Sequence, residues 1–280
     1  MTVPKRVGVY GGGRMGGGIA HAFAIAGSDV TVIEADETAA AAAAQRVHES
    51  LAAAASRGKL EESVDAVAGR VHAGTDDASL SDCELIVEAV PETVNLKVDV
   101  LAKVEEVAPE AVLATNTSSL SVDSIAAALR RPERFLGLHF FNPVPASSLV
   151  EIVVGSKTAQ SLVDEARGWV TDLGKTAITV TDSPGFASSR LGVALALEAM
   201  RMLEEGVASA EDIDTAMTLG YKHPVGPLRT TDIVGLDVRL AIAEHLARTV
   251  GPRFEPPAIL REKVKAGDLG RKTGAGFYTW

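Results

Sequence analysis

The stretch from Lys5 to Glu34 restricts this chain to few folds. Arg6-Val-Gly-Val-Tyr10 has the apolar content of a short buried strand and runs directly into Gly11-Gly-Gly-Arg-Met-Gly16. A helical run follows, Gly18-Ile-Ala-His-Ala-Phe-Ala-Ile-Ala26, and stops at Gly27, a residue suited to a helix C-terminus. Asp29-Val-Thr-Val-Ile-Glu34 then reads as a second strand. Strand, glycine turn, helix and strand within about thirty residues form a βαβ unit, the beginning of an open parallel sheet.

The pattern continues. An alanine-rich helix is expected over Asp36–Gly58, where dense alanine reflects helix propensity, and Arg57-Gly-Lys59 closes it. Strands are expected at Val71–Ala73, Glu84–Val90, Ala111–Thr115 and Thr176–Thr181, with helices at Val94–Val107, Ser121–Leu129 and Thr158–Leu173. Two closely spaced strands within residues 134–154 interrupt the alternation. The fold class is therefore α/β, a mostly parallel, doubly wound sheet with antiparallel strands added at one edge. Pro184-Gly185 marks a change of character, and Phe186 to about Lys265 reads as helical. This divides the chain into a sheet domain, 1–184, and an all-α domain, 185–280. In Leu191–Glu205 the charges Glu198, Arg201 and Glu205 share one face and the rest is apolar, wider than one core requires. A subunit interface is the expected use. Ser209-Ala-Glu-Asp212 has the form of a capping box.

Composition narrows the class of function. A net charge of −10 opposes nucleic-acid binding and gives no support for an anionic membrane surface. The single cysteine, Cys83, excludes an internal disulfide framework and fits a reducing compartment. No secretory leader pattern opens the chain, and no apolar run reaches the ~18–20 residues of a membrane span, so a cytoplasmic protein is expected.

The glycine turn carries the first chemical signal. In a dinucleotide site Gly11 permits the tight turn, Gly13 lets the backbone approach a pyrophosphate, and Gly16 allows close helix–strand contact. Glu34, eighteen residues beyond Gly16 (34 − 16), ends the second strand, where it can accept ribose hydroxyls. Asp36 and Glu37 follow, with no Lys or Arg before Arg46, so NAD is expected rather than NADP. Thr115-Asn116-Thr-Ser118-Ser119 ends another strand, where ligands sit in open α/β sheets. Its polar groups suit a nicotinamide ribose and a substrate oxygen. Ser119 or Ser121 serves equally as the cap of the following helix.

The second signal lies in Arg134-Phe-Leu-Gly-Leu-His139-Phe-Phe-Asn142-Pro-Val-Pro and the following strand, which carries Glu151. Paired as a hairpin, these strands bring Glu151 beside His139. A carboxylate on one imidazole nitrogen fixes the tautomer and leaves the other as a base. Taken alone, such a pair is more commonly structural. A nicotinamide cofactor supplies a chemical reason for it, since alcohol oxidation requires a proton acceptor. A zinc-dependent route would need thiol ligands that this chain lacks, and no metal is expected. The other five histidines, His21, His48, His72, His223 and His245, read as structural or solvated.

Several segments, in order along the chain, resemble the L-3-hydroxyacyl-CoA dehydrogenases, in particular the compact 3-hydroxybutyryl-CoA dehydrogenase form. They are Gly11–Gly16, Val87-Glu-Ala89, Asn116-Thr-Ser118-Ser-Leu120, Gly137-Leu-His-Phe-Phe-Asn-Pro-Val-Pro145, Asp182-Ser-Pro-Gly-Phe186 and Lys272-Thr-Gly-Ala-Gly-Phe-Tyr278. The resemblance implies a Rossmann-type NAD-binding domain, a helical substrate and dimerisation domain, and an acyl-CoA substrate. It implies His139 as catalytic base and Glu151 as its partner, with Ser118 and Asn142 on the 3-oxygen or thioester. Cofactor contacts are implied for the loop, including Arg14 and Met15, for Ala89, Val90 and Asn116, and for Glu92 and Lys97 on the nicotinamide half. Ser50 and Arg57, with Lys59 nearby, fall where the family holds part of CoA, and a homodimer through the helical domain is implied.

One position departs from the family pattern. After Gly185-Phe186 the family places an active-site Asn followed by Arg, whereas this chain has Ser189 before Arg190. A hydroxyl there still hydrogen-bonds, with shorter reach and one donor. Two other readings stay open: the same chemistry on a hydroxy-dicarboxyl-CoA or a sugar acid, as in L-gulonate dehydrogenases, and a non-catalytic NAD-binding protein of the λ-crystallin kind.

Overall fold

The computed structural model describes residues 3–280, which form two compact units divided between Ser183 and Pro184. In the first unit, β1 (Arg6–Tyr10), α1 (Arg14–Ile25), β2 (Asp29–Ile33) and α2 (Glu37–Ala55) form the expected βαβ start. After it come α3 (Val64–Ala68), β3 (Val71–Gly74), β4 (Leu85–Glu88), α4 (Val94–Val107), β5 (Val112–Thr115) and α5 (Val122–Ala126). The unit finishes with β6 (Phe135–Phe140), β7 (Leu149–Val154), α6 (Gln160–Asp172) and β8 (Thr176–Thr181). The eight strands lie in the order β3-β2-β1-β4-β5-β6-β7-β8, all neighbours parallel except β6 with β7. Every residue of β4, β5 and β6 is buried, which is why these strands read as continuous apolar runs. The strand order reverses beside β1, placing a crevice at the carboxyl ends of β1 and β4.

Helix α1 begins at Arg14 rather than near Gly18. Gly16 and Gly17 read as loop because glycine is a poor helix former, yet both are buried where larger side chains would crowd their neighbours. Asp36 caps α2 through a hydrogen bond from Ala39 N at 2.8 Å. The short α3 and a 3₁₀ turn at Asp77–Leu80 were not expected, since five or fewer residues carry no helical periodicity.

The second unit holds α7 (Ser188–Glu204), α8 (Ala210–Thr215), α9 (Pro227–Val234), α10 (Leu236–Thr249) and α11 (Ala258–Ala266). Ser209 caps α8, accepting from Asp212 N at 3.1 Å, and a wider π turn continues from Ala216 to Gly220. Asp232, 1% exposed, accepts from Phe277 N, Tyr278 N and Trp280 Nε1 at 2.8–2.9 Å, tying the C-terminal segment to α9. Among the described residues no helix is long and apolar enough to cross a membrane.

Candidate active site

The glycine loop occupies the turn between β1 and α1. Gly11 takes φ 93°, and a Cβ on Gly16 would lie 1.7 Å from Gly11 O, so the helix can approach the strand only with glycine at 16. Around Gly13 a Cβ would meet nothing within 4 Å, leaving open space at the helix start. No side chain caps the N-terminus of α1, which suits a pyrophosphate site, where the first N–H groups of a helix serve the ligand. Arg14 is exposed and Met15 half-buried at that start. Glu34, just past β2, accepts from Gly12 N at 2.7 Å through Oε1. The fold also returns to this loop a guanidinium that the local sequence did not place there: Arg46 Nη1 donates to Gly12 O at 2.6 Å.

Beside the loop, the ends of β4 and β5 form a polar network. Glu88 is fully buried and accepts from Lys97 Nζ and Val90 N, both at 2.7 Å, and from Thr115 Oγ1 at 2.7 Å. Lys97, 1% exposed, also donates to Val90 O at 3.2 Å and approaches Glu92 Oε2 at 3.3 Å. Its ammonium is thus spent inside the protein and supports Glu92 from below. Glu92 Oε1 in turn accepts from Thr117 Oγ1 at 2.6 Å, Ser118 N at 2.8 Å and Ser119 N at 3.1 Å, with the Ser118 and Ser119 hydroxyls each at 3.2 Å. Burial pushes the Glu92 carboxyl up, but the Thr117 hydroxyl, Lys97 and the Ser118 N–H outweigh it, so it titrates below the usual range. Ser121, not Ser119, caps α5 by accepting from Ser124 N. Ser118 and Ser119 therefore belong to the loop at the strand ends. Ala89 N bonds to Tyr10 O at 2.8 Å, joining that loop to β1.

His139 and Glu151 face each other in the antiparallel register of β6 and β7, with His139 Nδ1 and Glu151 Oε2 2.7 Å apart. The pair is 6% and 0% exposed, and the Phe141 ring lies 4.4 Å from the imidazole. Asn116 Oδ1 accepts from Phe140 N at 3.0 Å, fixing the end of β5 beside the residue that follows His139. Asn142 is exposed two residues after Phe140. Ser189 lies in the first turn of α7, in the second unit.

Asn142 also lines a groove of about 660 Å³ formed by α1, α2, the turn after β6 and the segment between α6 and β8. Ser50, Arg57 and Lys59 line it as well. Arg14, Arg46 and Lys175 complete five cationic side chains in the lining, which contains no carboxylate, on a chain of net charge −10. Lys175 Nζ donates to Val144 O at 2.7 Å and Ser147 O at 2.6 Å, bracing the turn that connects β6 to β7, and burial lowers its pKa. His21, expected to be structural or solvated, is 3% exposed in the groove wall with no partner for Nδ1. Burial, helped by the charge of Lys175, pulls its pKa down to about 4. Sequence reading missed Arg46, Lys175 and His21 because each reaches the site by tertiary packing, not by spacing. Among the described residues no cluster of metal-ligating side chains occurs.

An open parallel sheet with an uncapped glycine-rich helix start and an acidic residue after the second strand defines a dinucleotide-dependent α/β protein. Residues 6–183 match the NAD-binding domain of 3-hydroxyacyl-CoA dehydrogenase, and residues 185–280 match its C-terminal domain. The chain is 44% identical to a 3-hydroxybutyryl-CoA dehydrogenase of Mycobacterium tuberculosis, over 99% of this chain and 98% of that one. It is 39% identical to the mitochondrial hydroxyacyl-coenzyme A dehydrogenase of Sus scrofa, over 99% and 91%. The crystal structure of (S)-3-hydroxybutyryl-CoA dehydrogenase from Ralstonia eutropha superposes with a TM-score of 0.94 at 38% identity, covering 99% of both chains. The protein belongs to the 3-hydroxyacyl-CoA dehydrogenase family and is an NAD-dependent enzyme.

Proposed function

We propose that this enzyme interconverts (S)-3-hydroxyacyl-CoA and 3-oxoacyl-CoA of short chain, 3-hydroxybutyryl-CoA and acetoacetyl-CoA, with His139 as base and Glu151 as its orienting partner. The carrying observation is the 2.7 Å contact between His139 Nδ1 and Glu151 Oε2 at the carboxyl end of β6. That end lies at the same sheet edge as Glu88 and Thr115, which pair in the parallel register. NAD, when bound, supplies the hydride acceptor. With the proton on Nδ1 directed to Glu151, Nε2 takes the proton of the 3-hydroxyl. In reverse, the imidazolium returns that proton, and Glu151 stabilises the cation while it exists.

The remaining assignments follow the same reading. Ser118 and Asn142 hydrogen-bond the 3-oxygen or the thioester, and Ser189 fills the position where the family has an amide. Glu92, braced by Lys97, meets the nicotinamide half of the cofactor, with Ala89, Val90 and Asn116 forming the adjoining wall. Ser50, Arg57 and Lys59 take the CoA moiety, a reading supported by the wholly cationic charge of the groove, because CoA is an anionic phosphate ester. The short acyl chain is favoured by relatives named for 3-hydroxybutyryl-CoA at 38–44% identity. A homodimer through the helical unit is supported by exposed Leu191 (70%), Ile233 (43%) and Val238 (41%).

The deciding experiment is NADH oxidation across 3-oxoacyl-CoAs of increasing length, dicarboxyl-CoA analogues and sugar acids. Acetoacetyl-CoA should give the highest kcat/KM. Protein that binds NADH yet oxidises it with none of these substrates would sink the proposal.

A further inference from the structure

The dinucleotide loop of this chain contains three successive glycines, Gly11–Gly13. Such backbone is the most permissive available, and ordering it on a ligand costs conformational entropy. The middle glycine is obligatory. A Cβ at position 12 would stand 2.4 Å from Ala43 Cβ and 2.8 Å from Val32 Cγ1. The loop cannot be stiffened by a larger residue there, so any restraint has to come from outside it.

Two charged side chains provide that restraint. Glu34 Oε1 accepts from Gly12 N at 2.7 Å, fixing the peptide plane before Gly12. Arg46 Nη1 donates to Gly12 O at 2.6 Å, fixing the plane after it. Both are charge-assisted bonds, stronger than neutral ones. Arg46 follows Ala43 by three residues on α2, so the helix face that forces glycine at 12 also delivers the guanidinium. Its stem passes close over Gly17, where a Cβ would lie 3.3 Å from Arg46 Cδ.

We propose that Arg46 is a positioning residue for NAD: it holds the Gly12–Gly13 peptide so that the triple-glycine loop meets the cofactor already formed. In this role it acts through the loop and not on the hydride acceptor or the reacting oxygen. Its removal should weaken cofactor binding and leave the chemistry intact. The proposal depends on NAD binding alone and not on the reading of the basic groove.

The test is NADH binding, followed by fluorescence titration, for the wild type, Arg46→Met, Arg46→Lys and Arg57→Ala. Arg46→Met should raise the Kd for NADH about tenfold, the loss expected for one charge-assisted hydrogen bond. At saturating cofactor its kcat should stay within about twofold, so the loss appears in KM for NAD. Arg46→Lys, whose ammonium can donate to the same carbonyl, should recover to within about threefold of wild type. A Kd within twofold of wild type for Arg46→Met overturns the proposal. So does an Arg46→Lys variant that binds as weakly as Arg46→Met. Arg57→Ala separates the two readings: it should raise KM for acyl-CoA alone, and its failure to do so would count against the groove and not against Arg46.

Discussion

Lys97 and Glu88 form an ion pair at 2.7 Å that is withdrawn from water, with side chains 1% and 0% exposed. Desolvating both charges is unfavourable, and the arrangement persists because Glu88 also receives Val90 N and Thr115 Oγ1 while Lys97 reaches Val90 O and Glu92. Lys97→Met leaves an uncompensated carboxylate beneath the loop that carries Glu92. We expect a stability loss of about 3–5 kcal/mol, read from urea unfolding, together with weaker NADH binding as Glu92 loses its support. A loss below about 1 kcal/mol would show that water or rearrangement satisfies Glu88 instead.

His139→Gln removes the proposed proton acceptor and retains a polar side chain of similar reach. Turnover should fall about 10²–10⁴-fold, while the Kd for NADH stays within about twofold because the glycine loop is untouched. Glu151→Gln should leave the imidazole in place but lose the preference for the proton on Nδ1, lowering kcat by a smaller factor. Near wild-type turnover in the His139 variant would take the residue out of the mechanism.

His21 links the groove to pH. It is neutral in the fold down to about pH 4, whereas the imidazole of an unfolded chain takes up a proton near its ordinary value of 6.5. Between these values the unfolded state binds more protons, so stability rises with pH. The contribution is complete above about pH 6.5 and declines as the pH falls toward 4, by roughly 3 kcal/mol at most. Urea midpoints between pH 7 and pH 5 should fall less steeply in His21→Gln than in wild type, and equal slopes would assign the acid sensitivity to other groups.

Ser189 can be tested by restoring the family residue. Ser189→Asn adds a second donor and a longer reach in the first turn of α7. If the hydroxyl tunes acyl placement, the ratio of kcat/KM between four-carbon and longer 3-oxoacyl-CoAs should change by about threefold or more, each 1.4 kcal/mol of differential contact being tenfold. An unchanged ratio would mean that the site tolerates either residue.

Those parts of the molecule that depend on local spacing were legible in the sequence. The register that sets His139 opposite Glu151 follows from single polar residues in two apolar strands joined by the proline-containing segment 141–148. Glu34 follows from its place after β2, and the helical unit follows from its composition. The illegible parts depend on which helix face meets which loop. Arg46 lies thirty-four residues from Gly12 and stands in the sequence only as the first cation after Glu34, but packing of α2 beside α1 returns it to the loop. The pairing of Lys97 with Glu88, which draws its ammonium inward, was equally illegible, because it joins the end of one strand to the next helix face. The start of α1 was displaced for a related reason, because glycines used for close packing look like loop to a propensity scale.

The charge of the groove yields the last prediction. Arg57 and Lys59 are both exposed at its lining, on a chain whose overall field repels anions. If they receive CoA phosphates, their contribution must be screened by salt, with a Debye length of about 10 Å at 0.1 M and about 3 Å at 1 M. The double substitution Arg57→Ala with Lys59→Ala should raise KM for acetoacetyl-CoA about five- to thirtyfold at low ionic strength, the range of two exposed charge contacts of up to ~1 kcal/mol each. NADH affinity should not change. As salt increases, KM of the wild type should climb toward that of the variant. Two curves that remain parallel from low to high salt would show that these cations do not bind the phosphates.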